Sequence, residues 1–458
     1  MLTKLDRSDL PSYQFWGGVV ALVALFSMGG SSRADVQSLA VLNPAMILCC
    51  GVALITLKQE HWHDKKWFLA GFALVFLLVV FYLAPLPVQL EKLSQGAGEV
   101  AAIWAAANVP NASQTLAIAS AAVWQSLFFL FAPLAVFLFA IQLNRDDLRL
   151  TLPIIILVGA ISGIVGIAQL TGSSSGPLYL YRITNNGSAV GLFANRNHAA
   201  VLLACVFPML AHMASRPPVI KQNPKNVLKA IAIAVAILLV PLILVTGSRS
   251  GLLAAVIGIT GGTLLYSSHV RPHYKRKEGK SFVPIIVVIV ILSLIFMTIY
   301  FSRAEAIDRI FAEPNNIADR GDFWTASLKM LRQYFPFGFG PGGFVSSFQI
   351  GEPLDLLGGE YVNRLHNDWL ETALTFGVLG IVFMLAGIMY YVRRAFVLWV
   401  RMDGQHSCVA LGRVASIVIA ILAVASMSDY PLRTPAMAGF AALVLVWFAH
   451  ARHELNPL

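Results

Sequence analysis

The feature that most constrains this chain is a succession of long apolar runs separated by short polar connections. A membrane-spanning helix needs about 20 apolar residues. Runs of that kind lie near residues 14–30, 38–57, 67–84, 113–142, 151–170, 198–213, 227–246, 251–266, 281–301, 367–392, 407–426 and 432–450. Charged residues make up only 12% of the chain and hydrophobic ones 57%, whereas soluble domains carry about 25% charge. The missing charge requires a solvent that disfavours charge, and that solvent is lipid. The expected fold is therefore an all-α membrane protein with about twelve transmembrane helices. The runs at 198–213 and 251–266 are short, so they must be tilted or extended by flanking residues. The first run, Tyr13 to Gly30, reads as an uncleaved helix rather than a signal peptide, because further spans follow it.

The net charge of +10 could suggest a nucleic-acid partner, but the placement of the charges argues for topology instead. With the N-terminus in the cytoplasm, 21 of the 33 lysines and arginines fall inside, including ten of the twelve lysines. Both termini are then cytoplasmic, in a bacterial inner membrane, and no nucleic acid is expected as a partner. The outer side keeps two lysines, Lys92 and Lys329, against ten arginines. The topology rule accounts for the inside lysines and leaves the outer arginines unexplained. The four cysteines lie in or beside apolar runs without metal-like spacing and read as small buried hydrophobes.

Four regions are expected: N-terminal transmembrane helices in 1–150, central helices in 151–301, an extracytoplasmic loop in 302–366, and C-terminal helices in 367–458. The loop is too long for a plain connector. Within it, Trp324, Leu328 and Leu331 recur at helical spacing and Pro336 ends the pattern, which predicts a short amphipathic helix on the membrane surface.

The outer arginines come first among the functional candidates, since a guanidinium is always charged and bonds phosphate oxygens in a bidentate fork. Arg249 sits in Thr246-Gly-Ser-Arg-Ser-Gly251, a tight break between two apolar runs, where a charge needs a partner or water. It either serves a ligand or snorkels to anchor a helix end. Arg320 precedes the amphipathic helix, where an anion would also meet free helix N–H groups; otherwise it pairs with Asp319 or Asp322. Arg196 and Asn197, in Phe193-Ala-Asn-Arg-Asn-His198, either bind a sugar or phosphate or cap a helix. His366 heads His366-Asn-Asp-Trp-Leu-Glu371 at the re-entry into the membrane. A neutral imidazole there suits a general base, with Asn367, Asp368 and Glu371 in support and the two acids orienting the ring. The bland reading is an interfacial histidine bonded to a carbonyl. Phe337-Gly-Phe-Gly-Pro-Gly-Gly-Phe344 spells GxGxxG, but no βαβ unit surrounds it, and a tight turn is expected. The chain has no Asp-x-Asp pair, so neither a metal site nor a cofactor is expected.

Taken in order, these segments resemble the O-antigen ligase and polymerase superfamily of bacterial membrane glycosyltransferases. The likeness covers roughly residues 150–430 and includes a long loop between the ninth and tenth helices. It implies a GT-C-like helical enzyme acting on an undecaprenyl-diphosphate-linked glycan at the periplasmic face. By position, Arg249 and Arg320 match the family's diphosphate-binding arginines, His366 its proposed base, and Arg196 with Asn197 its asparagine-rich motif. The glycan would pass to a hydroxyl on lipid A-core in a ligase, or to another lipid-linked repeat unit in a polymerase. The motif series leans towards the ligase. A transporter or flippase of lipid-linked glycan would also want arginines facing phosphate. Such folds usually show internal repeats and mid-span breaks, and neither is evident here.

Overall fold

The computed structural model describes residues 11–85, 95–108, 115–215, 224–270, 320–352, 362–402 and 407–450. Its long helices are α1 (Tyr13–Met28), α2 (Leu39–Thr56), α3 (Lys66–Phe81), α4 (Gln95–Ala106), α5 (Ser120–Ala140), α6 (Arg145–Thr171), α7 (Arg196–Ser215), α8 (Pro224–Val245), α9 (Arg249–Val270), α10 (Arg320–Tyr334), α11 (Phe344–Gly351), α12 (Asp368–Phe396), α13 (Ser407–Ala425) and α14 (Pro435–His450). Among the described residues there is no strand, only an isolated bridge between Pro85 and Thr115.

Eleven of the expected apolar runs become helices, and the run at 281–301 lies outside the described residues. Among the described residues, eight helices are long and apolar enough to cross a membrane; α1, α3 and α14 are apolar but shorter. The two short runs are lengthened by their polar flanks. α7 starts at Arg196 and α9 at Arg249, so the motif residues become the first turns of helices. Elsewhere the starts follow local chemistry. The Asn144 side chain accepts from the N–H groups of Asp146 and Asp147, whose carboxylates suit the positive end of α6.

α7 and α13 form the centre of the bundle. In each, 78% of the most apolar stretch is buried, against 22% in α2 and α8. The lipid-like faces of the outer helices are covered with exposed Leu, Ile and Val. α9 lies close against α7 because its glycines let the backbones approach. A Cβ on Gly251 would stand 2.2 Å from Ala200 Cβ, and one on Gly258 would stand 2.6 Å from the Ala204 carbonyl oxygen. All four cysteines are free, and Cys50, Cys205 and Cys408 are buried.

The loop helix α10 forms where the periodicity predicts a helix and packs inward by one face. Ala326, Met330 and Tyr334 are buried in a small core with Phe339, Phe344 and Phe348, with Leu331 packed against it. Leu328 is 54% exposed, as is much of the adjoining Phe335, so it belongs to the outward side of the helix. The glycine-rich segment is a tight turn that plugs a break in α12. Gly377 has φ 55° within α12. The freed N–H of Val378 donates to the Pro336 carbonyl, while Phe339 and Gly340 donate to the carbonyls of Leu374 and Thr375. A Cβ at Gly377 would sit 1.9 Å from the Pro336 oxygen, so the position accepts only glycine.

Candidate functional site

Alternation of the helices brings the α1–α2, α6–α7, α8–α9 and α13–α14 connections and the segment before α12 to one end of the bundle. Their backbones interlock there. Ala194 donates to Gly30, Ala436 to Gly29, and Asp368 to Ser426. The α6–α7 connection is held by Gln169, which is 1% exposed and fully satisfied. It accepts from Val190 and Gly191 N–H and donates to the carbonyls of Leu178 and Gly191.

That rigid connection delivers the first turn of α7. The Asn195 side-chain oxygen caps the helix through Asn197 N–H, and Asn185 accepts from Arg196 N–H. The Asn197 amide donates to Asp429 Oδ2, and Asn195 Nδ2 lies 3.5 Å from the same oxygen. Across the site, Arg196 reaches over the α8–α9 break. A Cβ on Gly247 would come within 3.5 Å of its Nη1, so glycine leaves room for the guanidinium. Ser248 caps α9 by accepting from Gly251 N–H, and Arg249 stands exposed as the first residue of that helix.

Asp429 is the hub. It is fully buried. Its Oδ1 accepts from Tyr430 N–H and lies 3.4 Å from His366 Nδ1 and 3.6 Å from His198 Nε2. Burial alone would raise its pKa. The two imidazoles that face it, His198 and His366, outweigh burial and hold the carboxyl well below the usual carboxylate range. Tyr430 packs edge-on against His198 and at a tilt against His366, with ring centroids 5.1 Å and 4.8 Å away. Its phenol pKa is raised, by burial first and then by the Asp429 charge, so it stays protonated.

His366 has φ 57°, the left-handed region, which costs a non-glycine residue about 1–3 kcal/mol. Its flanks hold it there. Leu365 N–H donates to Glu371 Oε2, and Asn367 caps α12 by accepting from Leu370 N–H. The ring is 37% exposed, with Nδ1 turned to Asp429 and Nε2 left on the open side.

The expectation that Asp368 and Glu371 orient His366 is corrected by this geometry. Both acids are engaged with arginines instead. Glu371 Oε1 pairs with Arg364 at 2.9 Å, and Asp368 pairs with Arg433 at 3.1 Å and accepts from Ser426. Arg433 also approaches Glu371 at 3.8 Å. These pairs fix the start of α12, and with it the backbone of His366. Asn367 is likewise a helix cap. Arg320 is the first residue of α10, and its side chain lies outside the described set.

Sequence reasoning missed Asp429, His198, Arg364 and Arg433. Asp429 carried a readable signal as the sole acid between the last two apolar runs. His198 stood inside a motif already quoted.

The fold and site define an all-helical, multi-pass membrane protein with a buried carboxylate and a half-open histidine at one end of the bundle. Residues 233–385, about a third of the chain, match the family model described as O-Antigen ligase, and this match supports the O-antigen ligase and polymerase superfamily. That family comprises membrane enzymes of glycosyltransferase type that act on lipid-linked glycans and their acceptors. The matched stretch contains Arg249, Arg320, His366, Asp368 and Glu371, while Arg196, Asn197 and Asp429 lie outside it. No curated protein matches the chain.

Proposed function

We propose that this protein is an O-antigen ligase-type glycosyltransferase. It moves a glycan from undecaprenyl diphosphate to a hydroxyl on lipid A-core at the periplasmic face of the inner membrane. The observation that carries the reading is the His366–Asp429 pair. An ionised Asp429 facing Nδ1 from 3.4 Å favours the tautomer protonated there, which leaves the Nε2 lone pair facing outward as a base. The acceptor oxygen attacks the anomeric carbon, its proton goes to Nε2, and the carbon–oxygen bond to the diphosphate breaks. The electron pair leaves with undecaprenyl diphosphate. A single displacement of this kind inverts the anomeric centre.

Charge grows on the departing diphosphate, and Arg249 and Arg320 are assigned to meet it, with Arg196 in support. A preorganised donor of this type is worth about 3–4 kcal/mol. Guanidinium groups carry the positive charge themselves, so the proposed mechanism is metal-independent. The Arg364–Glu371 and Asp368–Arg433 pairs are mutually neutralising and serve to hold His366 in place.

Deletion of the gene followed by glycan analysis tests the assignment. A ligase leaves lipid A without polymer and accumulates long lipid-linked chains. Accumulation of single repeat units would instead identify a repeat-unit polymerase using the same donor.

A further inference from the structure

His198 has no task in the transfer chemistry above, yet its surroundings set it apart from a packing residue. It is 1% exposed at the start of α7, and neither ring nitrogen has a hydrogen bond of good geometry. Buried polar atoms are nearly always partnered, and an apolar ring would fill the space between Phe193 and Tyr430 without that cost. Its Nε2 faces the same Asp429 oxygen that His366 faces, from 3.6 Å.

We infer that His198 is a positioning residue that acts on His366 through Asp429. Its Nε2–H points at Oδ1, holds the carboxylate in line, and tempers the strength with which that carboxylate draws a proton onto His366. One carboxylate between two imidazoles balances one positive charge. That single negative charge is what His366 draws on when it takes the acceptor proton. The other charged or titratable groups around the pair are Tyr430, the Asp368–Arg433 and Arg364–Glu371 pairs, Arg196 on the same helix, and Arg249 on the neighbouring one. The ion pairs are closed on themselves and the tyrosine stays protonated, so the two imidazoles are the groups that face the carboxylate directly.

This inference rests on the proposed role of His366, and the test separates the two. His198→Gln, His198→Asn and His198→Phe are made in the full chain in lipid nanodiscs. They are assayed with undecaprenyl-diphosphate-linked glycan isolated from a deletion strain and with lipid A-core, across pH. Glutamine places an amide N–H where Nε2 stood, and asparagine falls short of it. His198→Gln is expected to stay within about 3-fold of wild type with the acid limb of its rate profile in place. His198→Asn and His198→Phe are expected to lose about 10-fold or more, because a donor to the charged carboxylate is gone. Their acid limb is expected to shift toward higher pH, because Asp429 then faces His366 alone. If the phenylalanine variant does not fold, the glutamine–asparagine comparison decides. Equal rates and profiles for those two variants overturn the role of His198. An active His366→Ala control overturns the underlying reading instead.

Discussion

Asp429 Oδ1 lies 3.4 Å from His366 Nδ1, although one residue sits between the last two helices and the other precedes α12. The carboxylate is wholly buried while the imidazole is partly open, so the ring has one nitrogen committed and one available. The predicted consequence is that Asp429→Asn keeps the fold but loses the tautomer. An amide can donate as well as accept, and it no longer compensates an imidazolium. The expected result is a fall in turnover of about 10²–10⁴ with near-unchanged donor binding, read from initial rates over donor concentration.

The pH dependence of stability follows from the same group. Asp429 is held below its ordinary range in the folded chain. A depressed carboxylate stabilises the fold fully above its unfolded value of about 3.9 and loses that contribution as pH falls through the lower folded value. Above about pH 5 the carboxylate is ionised in both the folded and unfolded chain, so its own titration should give no loss of wild-type melting temperature relative to Asp429→Asn as pH is lowered toward 5. A difference that shrinks toward pH 5 would mean that Asp429 titrates in a higher range.

Glu371 is 1% exposed and bonded to Arg364 and Leu365 N–H. Glu371→Ala strands the partly buried Arg364 and frees the turn that holds His366. The loss should be about 3 kcal/mol or more of stability, seen in thermal or denaturant unfolding of the detergent-solubilised protein. Glu371→Gln keeps one acceptor and should lose less.

Arg249 is exposed at the head of α9, so its replacement should leave the fold intact. Arg249→Ala is expected to lower turnover by about 10²–10³. Arg249→Lys should recover part of that rate, because the charge remains while the bidentate fork is lost. Circular dichroism and elution volume should match wild type in both variants.

Gly377 faces the Pro336 carbonyl too closely for any side chain. Gly377→Ala should therefore unseat the glycine-rich turn and lower the melting temperature, by a free energy of at least about 1–3 kcal/mol.

The helices were readable from the sequence because each apolar run is near the length lipid requires. Their polar ends were less so. The first turns of α7 and α9 absorb Arg196 and Arg249, which hydropathy assigns to loops. The helix α10 was legible from its period, but the residues that cover its inner face were not. Only the neighbouring Phe339 and Phe344 decide which side is covered. His366 was legible as a histidine in a polar boundary motif, but its partner was not. Asp368 and Glu371 are its neighbours in the chain, and the left-handed turn at His366 together with the arginine pairs directs both acids elsewhere. Asp429 reaches it through packing of α12 against α13, a long-range contact that a single sequence does not encode locally.

The most direct measurement is glycan transfer by His366→Ala in the purified, folded protein, with the lipid-linked donor and lipid A-core supplied and product followed over time. Loss of transfer by about 10² or more, with donor binding retained, is the predicted result. Near-normal product from that variant would contradict the assignment of His366 as the base.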